Sequence, residues 1–307
     1  MHRKGTAVDS LLLTAGLPVA LAVIMFGLGL SLTVDDFRRI GSQPRPVGVA
    51  LVAQTLLLPL ICFGIVLALD LEPLLAVGMM LLAASPGGTS ANLFSHLFRG
   101  DVALNITLTA VNSLLAVITL PVLVNLAVAY FDPAGAGDVG LQFTKTVQVF
   151  AIVLVPVSIG MTVRRFAPGF AARADKPVRI ASAVALAGVT IGALAAEREN
   201  IGRYLADVGV ATTLFCLCSL AVGYAAPRLL GVGPQQAIAT AFEVGVHNST
   251  LAIAIAVSVL GNEELAVPAA VYGVVMFPLA LLAGMVLSRF DPARTRLEPL
   301  ARDQEPA

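Results

Sequence analysis

The sequence SPGGTSAN at residues 85–92 interrupts a long apolar run, residues 73–97. Proline removes a backbone donor and glycine weakens a helix, so the helical hydrogen-bond ladder is expected to fail there. Within a bilayer such a failure is tolerated where the freed backbone groups line a cavity or bind a ligand. The stretch therefore predicts a broken helix at a binding site. The alternative is a simple proline kink packed on small neighbouring residues.

A second apolar run, residues 235–260, contains TAFEVGVHNST at residues 240–250. Its Glu243 is the only acidic residue deep in any apolar run. A carboxylate at that depth is costly unless it pairs with a cation, takes up a proton or faces water. Because no Lys or Arg is similarly deep, the sequence favours a bound cation or a transported proton. A protonated glutamate with a structural role only is the alternative.

The composition is typical of a chain in lipid. Hydrophobic residues make up 58% of the 307 residues, charged residues make up 12%, and the mean hydropathy is +0.90. Because a membrane-spanning helix needs about 20 mostly apolar residues, we expect an all-α integral membrane protein with nine transmembrane helices. The expected spans are 11–32, 46–69, 73–97, 102–130, 146–163, 179–196, 208–227, 235–260 and 265–288.

The connectors between these spans differ in charge. Fourteen of the nineteen Lys and Arg residues fall on one side of the membrane and five on the other. We expect the chain in the cell (inner) membrane. The positive-inside rule then places the N-terminus outside and the C-terminus, with a polar tail at 291–307, in the cytoplasm. The net charge is zero and no long basic run occurs, which argues against a nucleic-acid partner.

The fourth predicted span carries Asn105, Thr109 and Asn112 at i, i+4 and i+7, which places three polar side chains on one face of a helix. Each is also typical of hydrogen bonding between helices, as is Gln54 in the second span. Taken together the buried polar residues supply hard oxygen ligands, which suit sodium as a coupling ion. This set is Gln54, Asn92, Asn105, Thr109 and Glu243.

At these positions the chain resembles the bile acid:sodium symporter family, over about residues 24–290. The segments that carry the resemblance are MFGLGL at 25–30, Gln54 with Pro59, SPGGT at 85–89 with Asn92, GDVAL at 100–104, and EVG at 243–245 with Asn248. The resemblance implies inverted repeats, a core domain and a panel domain, and two broken helices that cross. Residues 1–307 would then form one membrane domain, with a four-helix repeat at 11–130 and a five-helix repeat at 141–290.

The resemblance also implies two sodium sites. One would be formed by Asn92, Asn105, Thr109 and Glu243, and the other by Gln54, Glu243 and His247. Three residues depart from the usual pattern: Ala91 and Asn105 stand where serines are usual, and His247 stands where glutamine is usual. An anionic substrate is expected at the amide ends of the half-helices. The residues expected to contact it are Gly88, Thr89, Asn112, Asn248 and Ser249.

The expected function is sodium-coupled symport of an organic anion, either bile-acid-like or a small carboxylate, by alternating access. The first alternative is a proton-coupled carrier or exporter that uses Glu243 and His247. An intramembrane enzyme is disfavoured, because the spans contain no paired Asp, no Ser beside a base and no His-Glu-x-x-His run.

Overall fold

The structure is a computed structural model that describes residues 22–133, 143–184 and 201–290, apart from positions 24, 28, 31, 175, 176, 179, 182 and 183. Its regular elements are helices. In chain order they are α1 (Val34–Ser42), α2 (Pro44–Val52), α3 (Leu58–Ala68), α4 (Pro73–Ala84), α5 (Thr89–Leu97), α6 (Val102–Phe131), α7 (Phe143–Phe166), α8 (Ile201–Leu229), α9 (Pro234–Gly245), α10 (Ser249–Ala254) and α11 (Val267–Leu287). A π-helical turn, Ala53–Leu57, joins α2 to α3, and another, Ile255–Val259, extends α10. Short 3-10 turns, Glu264–Ala266 and Ser288–Phe290, flank α11.

Four helices of the described part are long and apolar enough to cross a membrane. They are Pro44–Ala68, Val102–Phe131, Val208–Leu229 and Glu264–Leu287. The predicted runs at 73–97 and 235–260 are present as broken helices, and the run at 146–163 lies within α7. Most of the predicted spans at 179–196 and 11–32, together with the tail at 291–307, lies outside the described residues.

The break between α4 and α5 follows from local sequence. Ser85 is extended, with φ −72° and ψ 143°, as the residue before a proline tends to be. The chain stays extended through Gly88, whose φ is −85° and ψ is 160°, and a new helix starts at Thr89. The predicted broken helix is therefore present at this position.

After the second break, between α9 and α10, the new helix α10 begins with a polar N-cap residue. Helix α9 stops at Gly245, and the side-chain oxygen of Asn248 accepts a hydrogen bond of 3.0 Å from the backbone N–H of Leu251. An asparagine in this capping position satisfies one of the free amides at the start of a helix. The break lies within the predicted stretch 240–250.

The two breaks pair with each other. Gly87 and His247 form an isolated antiparallel bridge. The N–H of Gly88 donates to Val246 O at 2.8 Å, and the N–H of Asn248 donates to Pro86 O at 2.8 Å. Each unwound segment thus satisfies backbone groups of the other, which explains how two helices can be interrupted inside an apolar environment.

Close backbone contacts hold the helices around this crossing. A Cβ on Gly223 of α8 would lie 2.8 Å from Ala241 Cα of α9, and a Cβ on Gly78 of α4 would lie 2.6 Å from Leu265 O. Both distances are shorter than real Cβ contacts allow, so only glycine permits these helices to approach so closely. The packing fixes α4 and α9, the two helices that lead into the breaks.

Candidate functional site

The carboxylate of Glu243 lies at the crossing and is fully buried. It accepts hydrogen bonds from Thr109 Oγ1 at 2.6 Å, from Asn112 Nδ2 at 3.1 Å and from the backbone N–H of Gly87. All three partners are neutral donors, and the ion pair between Arg38 and Asp35 lies elsewhere. Donors of this kind stabilise a carboxylate without neutralising its charge.

Helix α6 brings its polar face to Glu243, as its spacing predicted. Thr109 and Asn112 are one turn apart, and Asn105 lies one turn earlier. The amide of Asn105 donates to Ser95 Oγ at 2.7 Å and to Ala239 O at 2.9 Å. These two bonds fix the amide nitrogen and leave Oδ1 of Asn105 turned toward Thr109, 3.5 Å from its hydroxyl.

Two oxygen atoms of residues singled out from the sequence have no hydrogen-bond partner although they are buried. One is Oδ1 of Asn92, in the first turn of α5, and the other is Oδ1 of Asn112. A buried acceptor without a partner is costly, and it therefore points to a ligand that the acceptor would bind. Both are amide oxygens, which are suitable ligands for a hard cation.

Two further side chains, those of Gln54 and His247, meet at the carbonyl of Ser85, and each has an acceptor without a partner. Gln54 Nε2 donates to Ser85 O at 3.1 Å, and His247 Nδ1 lies 3.1 Å from the same carbonyl. Because a carbonyl accepts, Nδ1 carries the proton and Nε2 of the neutral ring is an acceptor. Gln54 Oε1 and His247 Nε2 are both buried without a partner. The π-helical turn that contains Gln54 places this side chain, and such turns often occur at functional sites.

The ring of His247 is held by aromatic neighbours. It stacks on Phe215 with a centroid distance of 5.2 Å and meets Tyr272 edge to face at 5.5 Å. The Tyr272 hydroxyl donates to Gly245 O at 2.9 Å, at the end of α9. The sequence did not predict that Ser95, Phe215 and Tyr272 contact residues of the site. The one sequence feature that could have indicated this was a tyrosine, Tyr272, inside an apolar run.

Most of the backbone amides at the expected anion contacts form hydrogen bonds within the protein. The N–H groups of Gly88 and Asn248 form the bridge between the breaks, and the N–H of Ser249 donates to His247 O at 3.0 Å. Asn112 bonds to the buried carboxylate of Glu243, which places it beside the candidate cation ligands. Thr89 is exposed at the start of α5, and it keeps the expected position.

Two broken helices that pair around a buried carboxylate and a set of unpartnered ligand atoms are typical of secondary transporters. The chain belongs to the Sodium Bile acid symporter family, whose family model matches residues 18–203. The predicted resemblance is thereby confirmed. Proteins of this family are transporters.

Several relatives are similar over most of the chain. An uncharacterized sodium-dependent transporter, YocS of Bacillus subtilis, is 29% identical over 256 residues, which are 83% of this chain and 78% of the relative. The probable sodium/metabolite cotransporter BASS1 of Arabidopsis thaliana chloroplasts is 32% identical over 83% of this chain, but this match spans only 62% of the relative. The human ileal sodium/bile acid cotransporter is 28% identical over 83% of this chain and 73% of its own length.

Proposed function

We propose that this chain is a sodium-coupled symporter of an organic anion. The observation that carries the proposal is a set of buried acceptors without a hydrogen-bond partner on residues in and around the two broken helices, of which Asn112 contacts the carboxylate of Glu243 directly. A cation bound there would give these acceptors a partner and would balance the buried charge. The names of the relatives support sodium as the ion.

Two neighbouring sodium positions are part of this proposal. The first would use Asn92, Asn105, Thr109 and Glu243, with Asn112 added from the structure. The second would use Gln54 and His247, whose free acceptors are both oriented by Ser85 O. Since the bridge between Gly87 and His247 joins the two breaks, sodium would hold both broken helices together and order the surface that receives the anion.

The anion would bind at the crossing, on the open side near Thr89. Small carboxylates and bile acids both remain within this proposal, because the names of the relatives include metabolite and bile acid cotransporters. Alternating access would then move the crossed helices against a panel that includes the first predicted span and α7. In this arrangement the N-terminus is outside the cell membrane and the C-terminus is cytoplasmic.

A panel that moves as a unit is supported by the contact between the first span and α7. A Cβ on Gly160 of α7 would lie 2.8 Å from Gly29 Cα, and a Cβ on Gly29 would lie 2.9 Å from Val157 Cα. Such close backbone approach between two helices is typical of small-residue interfaces in membranes. It would allow the pair to rotate together against the rest of the chain.

Uptake into sealed proteoliposomes tests the proposal, with cholate, pyruvate and lactate as labelled probes and sodium replaced by potassium in the control. We expect accumulation of at least one probe that requires an inward sodium gradient. Glu243→Gln should abolish it with normal insertion, because the substitution removes the buried charge that holds the cation. Sodium-dependent uptake by Glu243→Gln at the wild-type level would disprove the role of this residue.

A proton-coupled carrier is the second candidate, and one observation favours it. The free Nε2 of His247 is a nitrogen acceptor, which binds a proton more readily than it binds a hard cation. If this candidate is correct, an imposed pH gradient without sodium should drive accumulation of the same probes, and His247→Gln should eliminate that accumulation.

A further inference from the structure

A cleft of about 480 Å³ lies far from the crossing, where the chain that leads into α1 separates from the end of α7. The two segments are in close contact at Gly29 and Gly160 and diverge beyond it. The cleft opens between Leu32 and Arg38 on one side and Met161 and Phe166 on the other. Its volume is in the range of ligand-binding clefts, about 300–1,000 Å³.

The lining of the cleft is basic. Arg38, Arg164 and Arg165 face it, and Asp35 is the one carboxylate of the lining. Asp35 pairs with Arg38 at 3.0 Å, but both side chains are about three-quarters exposed, so the pair is weak and can exchange. Arg164 and Arg165 form no ion pair with any residue that the structure describes. The cleft therefore has two arginines available for an anion.

Arginine is the available donor in this cleft, because the hydroxyl groups are already used. Thr33 Oγ1 donates to Asp36 at 2.7 Å, and Thr162 Oγ1 donates to Ser158 O at 2.7 Å. The guanidinium of Arg165 lies 5.7 Å from the centre of the Phe166 ring, at the rim of the cleft. A planar guanidinium binds carboxylate and phosphate oxygens alike in bidentate fashion, but a phosphate has enough oxygens to accept from two arginines at once.

The apolar part of the lining indicates a lipid. Leu32, Val34 and Met161 line the cleft beside the arginines, and the ring of Phe166 is 78% exposed at its rim. Exposed apolar groups beside basic groups, at the end of a membrane helix, suit a molecule with an acyl chain and an anionic head group. A free anion in water would make no use of the apolar wall.

We propose that this cleft binds the phosphate of an anionic phospholipid of the cytoplasmic leaflet, with the acyl chains along Leu32, Met161 and Phe166. The proposal rests on the orientation given above, in which the arginine-rich side is cytoplasmic. It is independent of sodium and of the transported anion. A lipid bound here would connect the first span to α7 at the end where their close contact ceases.

The test is a titration of the purified full chain in neutral detergent, followed by native mass spectrometry. Dioleoylphosphatidylglycerol is compared with dioleoylphosphatidylcholine, and inorganic phosphate is added as a soluble competitor at constant ionic strength. We expect dioleoylphosphatidylglycerol to bind more tightly than dioleoylphosphatidylcholine, and millimolar inorganic phosphate not to displace it. Each of Arg164→Gln and Arg165→Gln should weaken that binding about fivefold, since one arginine near an anionic surface contributes ~1 kcal/mol.

Two further variants make the test specific. Arg289→Gln removes an exposed arginine from the end of α11, outside the cleft, and should leave the affinity unchanged. Asp35→Asn removes the competing carboxylate and should raise the affinity, by up to about fivefold if an exposed pair is worth at most ~1 kcal/mol. A gain of affinity cannot come from a misfolded protein.

Three outcomes would overturn the proposal: equal binding of both lipids, displacement by inorganic phosphate, or an equal loss in Arg289→Gln. Equal binding of both lipids would mean that the arginines only fix the orientation of the chain in the membrane. Displacement by phosphate would mean that the cleft binds a soluble anion. An equal loss in Arg289→Gln would mean that the lipid is attracted by the overall positive charge of this side and not by the cleft. Because none of these measurements uses sodium, they leave the proposed coupling site untouched.

Discussion

Replacing Thr109 with valine tests the buried carboxylate site with a small change in shape. The substitution keeps the branched side chain and removes only the hydroxyl, which donates to Glu243 Oε2 at 2.6 Å. A hydroxyl can donate this hydrogen bond and offer its lone pairs to a cation at the same time. Thr109→Val therefore removes one neutral ligand of the proposed first sodium position and one donor of the carboxylate.

The size of the effect follows from the charge on both partners. A hydrogen bond to a charged group contributes about 1.5–3 kcal/mol, and a hydroxyl that coordinates a buried cation should contribute a similar amount. This free energy corresponds to an increase of about 10- to 150-fold in the sodium concentration at half-saturation. The carboxylate itself remains, so binding should be weakened and not lost.

Thr107→Val is the matched control. Thr107 lies on the same helix, is fully buried, and bonds to Ala103 O at 3.0 Å within its own helix. Thr109 Oγ1 likewise lies 3.0 Å from the carbonyl four residues earlier, Asn105 O, but its one proton is donated to Glu243. The two substitutions thus make the same change in the helix, and only one of them alters the site.

The assay is sodium-dependent thermal stabilisation of the purified protein, with potassium as the replacement ion. It needs no knowledge of the substrate, because a ligand that binds the folded state raises the melting temperature by mass action. We expect the titration curve of Thr109→Val to move to higher sodium and that of Thr107→Val to remain in place. Equal curves for Thr109→Val and wild type, or equal shifts in the two variants, would refute the reasoning.

Three further predictions use the same titration. Gly87→Ala should abolish the sodium effect, because a Cβ would lie 2.6 Å from the main-chain oxygen of Glu243. Its control, Gly48→Ala, has open space around the added Cβ and should bind sodium normally. Normal binding by Gly87→Ala would contradict the crossing geometry. Ser95→Ala should raise half-saturating sodium about 2- to 12-fold, the equivalent of one neutral hydrogen bond of ~0.5–1.5 kcal/mol. Its control, Ser288→Ala, loses only a local bond to Met285 O at the end of α11 and should match wild type, so equal shifts would remove the positioning role. His247→Gln should retain two sodium positions, whereas His247→Leu should lower the Hill coefficient of the titration; an unchanged coefficient in the leucine variant would leave this ring with a structural role only.

Several features of the fold could be predicted because their causes are local. The break between α4 and α5 comes from a proline and two glycines in succession, and the run at 102–130 coincides with α6, Val102–Phe131, because its hydropathy and its Asp101 cap are both visible in the sequence. Asn105, Thr109 and Asn112 share a face because of the helical repeat alone. Contacts between distant segments could not be predicted in this way: the amides of Gly88 and Asn248 were expected to face an anion, but each amide bonds to the other unwound segment.

By itself, the sequence determined that the chain is a membrane protein, where its apolar runs begin and end, where two of them break, and that one carboxylate lies deep inside. These properties depend on residues that are neighbours in the chain. Only the tertiary structure decided what surrounds that carboxylate, because Thr109 and Glu243 are 134 positions apart and Ser85 and His247 are 162 apart. Hydropathy and helix periodicity carry no information about such distances. Gln54 and His247 meet at one carbonyl, that of Ser85, because whole helices pack together.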